Sequence, residues 1–103
     1  MVAIIKTTDE FDKWLEKLKD RKAANMILER LRRIRSGLLG DVKFFNGIGE
    51  LRIHYGAGYR IYFVKKGDKI IILLWGGDKS TQSNDIQKAL SLLEDLKNEI
   101  ENL

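Results

Sequence analysis

The chain of 103 residues has no cysteine, no proline and a single histidine. The first absence excludes disulfides, thiolate metal sites and a cysteine nucleophile. With one imidazole, a His-Glu-x-x-His site is excluded too, as is any centre that needs several histidines. No stretch approaches the roughly 20 apolar residues that a membrane helix requires. The opening "MVAIIKTTDEFDKW" has an apolar run too short for a signal peptide and turns acidic at once. The cytosol is the expected compartment, with no membrane partner.

What is present is a composition of 44% apolar and 33% charged residues, which describes a folded chain rather than a disordered one. The length fits one domain over residues 1–103. The net charge of +4 points to an anionic partner. Residues 1–40 carry ten Lys/Arg against six Asp/Glu, residues 41–79 seven against four, and residues 80–103 two against five. A basic body is followed by an acidic end, so an anionic ligand is expected against the first three quarters of the chain.

Short β-branched "VAIIK" (residues 2–6) reads as a strand. Thr7 with Glu10 makes a capping box, and Phe11, Trp14, Leu15 and Leu18 then follow at helical spacing. After "KDRK" a second helix puts Ala24, Ile27, Leu28, Leu31 and Ile34 on one face, with Gly37 as its stop, so the pair reads as a helical hairpin. From Asp41 the period changes to two. "DVKFF", "ELRIHY", "YRIYFVKK" and "KIIILLW" are strand-like, and the Ile70–Trp75 run, apolar on both sides, is expected to be a central strand. A last helix, with Asn84 and Gln87 as its capping box, buries Ile86, Ala89, Leu90, Leu93 and Ile100. The order strand, helix, helix, three strands, helix defines an α+β domain with helices set against a small, mostly antiparallel sheet.

The most informative stretch is "ELRIHYGAGYRIYF", Glu50 to Phe63. A three-residue Gly56-Ala57-Gly58 loop pairs Tyr55 with Tyr59, Ile53 with Ile61 and Leu51 with Phe63, building one apolar face. His54 then lies opposite Arg60 and Arg52 opposite Tyr62, with Glu50 at the edge. A two-residue loop would mix apolar and charged groups on both faces, so patterning disfavours it. Two readings fit the polar face: a solvated sheet surface, or a cluster suited to phosphate chemistry. In the second, arginine supplies bidentate donors, histidine moves a proton near neutral pH, and tyrosine stacks or donates.

"GGDKSTQ" (Gly76–Gln82) has the composition of a phosphate-binding turn but not the P-loop spacing, and an ordinary strand-to-helix connector explains it equally. "RLRRIR" (Arg30–Arg35) reads either as a nucleic-acid footprint or as a solvated helix face. Trp14 and Trp75 lie on apolar patterns and are read as core.

The element order, "ELRIHYGAGYRIYF" and "LLWGGDKSTQSNDIQKAL" together resemble the RelE/ParE toxin superfamily, within it the phage-derived, HigB-like addiction module killer protein branch. The resemblance covers nearly the whole chain. It implies the toxin of a type II toxin–antitoxin system, neutralised by a cognate antitoxin, often a helix-turn-helix protein, through which alone the toxin would touch DNA. It also implies a metal-independent endoribonuclease without cofactor that cuts mRNA on the ribosome and arrests translation, the nucleotide 2′-OH attacking the adjacent phosphate. Arg60 matches the strand arginine of the "YR" motif, Arg52 the branch's "ELR", and Lys79, Gln82 and Asp85 its "GGDKSTQSND". On that basis Arg60 and Lys79 are expected to stabilise the scissile phosphate, Arg52 to orient the backbone and His54 to act as general base. Tyr62, Gln82, Lys43 and Lys65 are the candidate substrate-binding residues. ParE-like relatives share the scaffold but inhibit DNA gyrase by protein contact. An inactive RNA- or antitoxin-binding module is the third reading.

Overall fold

A computed structural model describes residues 3–103 and gives the order β1 (Ile4–Thr7), α1 (Asp9–Lys17), α2 (Arg21–Arg35), β2 (Val42–Phe45), β3 (Ile48–Ile53), β4 (Tyr59–Lys66), β5 (Ile70–Asp78), α3 (Gln82–Asp95) and α4 (Lys97–Glu101). Of the expected first strand, Val2 lies outside the described residues. All four period-two runs after the helical hairpin form strands, one more than the expected three. The five-stranded sheet runs β1-β5-β4-β3-β2, parallel only between β1 and β5.

Two helix caps differ from those expected. Thr8, not Thr7, caps α1: its hydroxyl accepts from the Phe11 amide at 3.0 Å and donates to the Leu74 carbonyl at 2.7 Å. Asp20 caps α2 by accepting from the Ala23 amide at 3.1 Å. At the last helix, α3 begins at Gln82 after a short 3-10 turn over Lys79–Thr81, two residues before the expected Asn84 cap. There Asp78 caps the turn by accepting from the Ser80 amide at 2.8 Å.

Helices cover both faces of the sheet. Phe11, Ala23, Ile27 and Ile34 of α1 and α2 pack on Leu51, Ile53, Tyr59, Ile61, Phe63, Ile71 and Leu73. On the other face α3 and α4 bring Ala89, Ile86, Leu90 and Ile100 against Ile48, Tyr62, Ile72 and Leu74. Strand β5, between β1 and β4, contributes alternate residues to both cores, which is why it reads as continuously apolar. The Asn46-Gly47 corner joining β2 to β3 has φ of 51° and 84° at its two residues, the left-handed pair of a tight two-residue hairpin.

The β3–β4 pairing differs from the expected register by two residues. Ile53 pairs with Tyr59, Arg52 with Arg60, Leu51 with Ile61 and Glu50 with Tyr62. The connection therefore has five residues, His54 to Gly58, and His54 leaves the ladder. The cause is Tyr59. Its ring is buried, 6.4 Å from that of Trp14, so it pairs with core Ile53 rather than with half-exposed Tyr55. A two-residue slip preserves the alternation, so Leu51, Ile53, Ile61 and Phe63 share one face as expected, while on the other His54 drops out of the ladder and Tyr62 joins an apolar core.

A bulge completes the frame. Tyr62 pairs with Trp75 but Phe63 with Leu73, so Leu74 and Trp75 both turn toward the α3 core. Beyond it Gly76 faces α1 and Gly77 faces α3. A Cβ at Gly76 would collide with the Trp14 ring, and one at Gly77 with the Asp85 carboxylate. Both residues must be small because a side chain from each covering helix lies directly on the strand.

Candidate active site

At the end of the sheet where β3 leaves and α3 begins, an open depression of about 400 Å³ is lined by Arg52, His54, Tyr55, Arg60, Lys79 and the 56–58 loop. The four residues expected to do chemistry thus share one cavity wall. They reach it from different elements: Arg52 and Arg60 as a cross-strand pair, His54 from the loop after β3, and Lys79 from the turn after β5. The Lys79 amide donates to the Ala57 carbonyl at 3.3 Å, which ties the two loops together across the cavity.

Beneath the arginines lies Glu50, only 2% exposed. Its carboxylate accepts from Gln82 Nε2 at 2.9 Å and faces Arg52 Nε at 3.7 Å and Arg60 Nε at 3.9 Å. Both Nε atoms are buried without a hydrogen-bond partner. Arg60 Nη1 donates to the Gly58 carbonyl at 2.8 Å, fixing that guanidinium to the loop.

His54 is exposed, and its Nε2 lies 2.5 Å from Asp41 Oδ2. The hydrogen bond to His54, joined by the Arg52 and Arg30 charges, holds the Asp41 carboxyl below its usual range. Asp41 is a residue the sequence reading missed: it lies in the α2–β2 connector, 13 positions from His54. Arg30 holds that connector. Its guanidinium donates to the Leu39 carbonyl at 3.1 and 3.0 Å, the Asp41 carbonyl at 2.9 Å and the Arg52 carbonyl at 2.9 Å. The first arginine of "RLRRIR" is thus structural, while Arg32 and Arg33 pair with Glu29 on the helix surface.

The other expected residues fare unequally. Tyr62 is fully buried under α3, with its hydroxyl unpartnered, so it has no face left to stack on a base. Burial first, and then the Glu50 carboxylate, push that hydroxyl far above its usual pKa. Gln82 spends its amide on Glu50. Lys43 is exposed on β2 directly opposite Glu50, at the flank of the site, with its ammonium 5.8 Å from the Phe45 ring. Lys65 is not brought to the site: it alternates with Phe63 and Ile61 onto the α1–α2 side and lines a separate hollow with Ile34, Leu39 and Ile71.

The "GGDKSTQSND" stretch resolves into positioning contacts. Asp85 is buried and accepts from Trp75 Nε1 at 3.0 Å and from the Thr81 hydroxyl, Asp78 caps the turn, and Gln82 reaches Glu50. Exposed Lys79, which lines the cavity, has no ion pair among the described residues.

Residues 9–94 match the profile of a family described as phage-derived, Gp49-like proteins. Over 97 residues the chain is 48% identical to an uncharacterized protein of Haemophilus influenzae, an alignment covering 93% of this chain and 98% of that one. Two solved structures share the architecture with a TM-score of 0.63 each. One is the toxin–antitoxin complex RelBE2 from Mycobacterium tuberculosis, at 15% identity over 77% of this chain and 100% of that one. The other is a double arginine-to-alanine mutant of the E. coli toxin RelE in the free state, at 12% identity over 85% and 98%. At these identities the likeness to the two structures is one of fold.

Proposed function

The chain belongs to the Gp49-like family of phage-derived proteins and has the fold of RelE, and from that premise we propose that it is the toxin of a type II toxin–antitoxin pair, cutting mRNA on the ribosome. The observation that carries the reading is the convergence of Arg52, His54, Arg60 and Lys79 on one open cavity. An unpaired ammonium beside two guanidiniums is a site for an anionic group, and an exposed imidazole at its rim can move a proton.

In the proposed reaction the 2′-hydroxyl of one nucleotide loses its proton to His54 and attacks the adjacent phosphorus. The P–O5′ bond breaks and the leaving 5′-oxygen takes a proton from water, giving a 2′,3′-cyclic phosphate and a 5′-hydroxyl end. Negative charge on the phosphoryl oxygens rises in the transition state, and Arg60 and Lys79 meet it with donors already in place. Arg52 holds the backbone. Asp41 keeps the His54 ring oriented and supports the imidazolium that forms, leaving Nδ1 for the substrate. The proposed partner is a cognate antitoxin. The complex from which one structural neighbour comes supports that choice.

The test is induction without antitoxin, followed by mapping of mRNA ends. Wild type is expected to arrest growth and produce new mRNA ends. Arg60→Ala and Lys79→Ala are each expected to lower cleavage by roughly 100-fold or more, the scale of losing one transition-state donor, with unchanged circular dichroism. Retained toxicity in both folded variants would sink the assignment. Arrest with intact mRNA and damaged DNA would point to gyrase instead, and absence of arrest to an inactive binding module.

A further inference from the structure

We propose that Glu50 is a positioning residue whose buried carboxylate aims the Arg52 and Arg60 guanidiniums outward and holds ground-state affinity for the RNA phosphate in check. The inference rests on the RNA-cleaving reading of the same cavity. Its ground is geometric. Glu50 lies between the two arginines, one oxygen toward each Nε, and is fixed from below by Gln82, the first residue of α3. Facing the carboxylate with Nε turns the Nη ends of both side chains toward the cavity. Arg60 spends one of these on the Gly58 carbonyl. The remaining Nη groups and Lys79 are free to receive phosphoryl oxygens.

The long separations matter as much as the direction. At 3.7 and 3.9 Å neither Nε–H makes a hydrogen bond to Glu50. The carboxylate therefore acts through charge and packing and leaves the donors of the pair unspent. Three cations, Arg52, Arg60 and Lys79, would otherwise attract any phosphodiester strongly and hold substrate and product alike. One buried negative charge beneath them weakens attraction to the singly charged diester. The same charge opposes the transition state, with about two negative charges, at least as strongly, so the catalytic gain comes from the aimed donors and not from the carboxylate's charge.

Glu50→Gln keeps the volume and an oxygen for Gln82 while removing the charge. A mixed-sequence 2′-O-methyl RNA octamer, which cannot supply a 2′-hydroxyl nucleophile, serves as the binding probe, read by fluorescence anisotropy. The variant is expected to bind it roughly three- to tenfold more tightly. Cleavage of mRNA in a reconstituted translation mixture is expected to fall at least about tenfold, since mis-aimed donors lose the transition state first. A role confined to stability would lower both or neither. Folded Glu50→Gln with unchanged or weaker binding, or with unchanged cleavage, overturns the proposal.

A second measurement needs no variant. The Nε–H signals of Arg52 and Arg60 in nitrogen-15 spectra of the wild type are expected to be individually resolved and slow to exchange with water. Averaged, fast-exchanging signals would overturn the positioning role even if Glu50→Gln failed to fold. Failure of the RNA reading is distinct: wild type would then bind the octamer no better than Arg60→Ala does.

Discussion

Tyr62 and Glu50 exchange the roles that their residue types suggest. A tyrosine beside arginines is a natural base-stacking partner, and a glutamate two positions from an arginine on a strand is a natural solvent residue. In the fold Tyr62 lies beneath α3 with an unpartnered hydroxyl, and Glu50 is sealed under the two guanidiniums. Alternation places both on the same sheet face, but which part of that face a helix covers depends on where α3 crosses it. The hydroxyl makes no hydrogen bond of good geometry, though it lies beside the Glu50 carboxylate, so removing it relieves part of a desolvation cost of about 1–3 kcal/mol. Tyr62→Phe is therefore expected to keep wild-type mRNA cleavage and to match or exceed wild-type stability, read as the thermal midpoint. A loss of cleavage above about tenfold in the folded variant would return Tyr62 to the substrate.

The β3–β4 connection shows what a chain pattern can and cannot say about an element. Both a three-residue and a five-residue loop keep Leu51, Ile53, Ile61 and Phe63 on one face, so the polar cluster was legible from alternation alone. The pairing itself was not, because it depends on Trp14, a residue of α1 far away in sequence, drawing Tyr59 into the core. The β5 bulge was hidden for the same reason: its purpose is visible only once Trp14 and Asp85 are seen lying on Gly76 and Gly77. Asp41 was invisible because it belongs to the connector that Arg30 folds back. Two glycines separate the loop's conformational demand from its role in the site. Gly58 has φ of 76° and its absent Cβ would lie 3.3 Å from Arg60 Nη1, whereas Gly67, in the far β4–β5 hairpin at φ 63°, has nothing within 4 Å. Alanine at either position is expected to lower stability by about 1 kcal/mol through left-handed backbone strain. Only Gly58→Ala is expected to reduce cleavage, by roughly tenfold or more, since it displaces the guanidinium that must meet the phosphate. Equal activity in the two alanine variants would remove the loop from the catalytic frame.

Across the whole molecule, charge is sorted along α3. Its first residue, Gln82, touches the site through Glu50, and its last, Asp95, lies about 20 Å away with Glu94, Glu99 and Glu101 nearby in the chain. The cationic cavity and the acidic end therefore form an electric dipole, and the positive end of the helix macrodipole adds to the cavity side. At about 0.15 M salt the screening length is roughly 8 Å, so the acidic end contributes little to the energy of an RNA already seated at the other. Three cations meeting phosphates on a single strand give an expected slope of about −2 for log affinity against log salt, or a loss of roughly 20-fold between 50 and 200 mM. Reversing Glu94 and Glu99 to lysine is expected to leave that slope unchanged between 50 and 200 mM, and to shift octamer affinity by less than about twofold near 0.15 M. Near 0.01 M, where screening reaches about 30 Å, the same variant should bind distinctly more tightly. Anisotropy titrations across a potassium chloride series measure all three quantities. A slope that steepens in the reversed variant between 50 and 200 mM would mean that RNA runs along α3 rather than ending at Arg52, Arg60 and Lys79, and the boundary of the site would move accordingly.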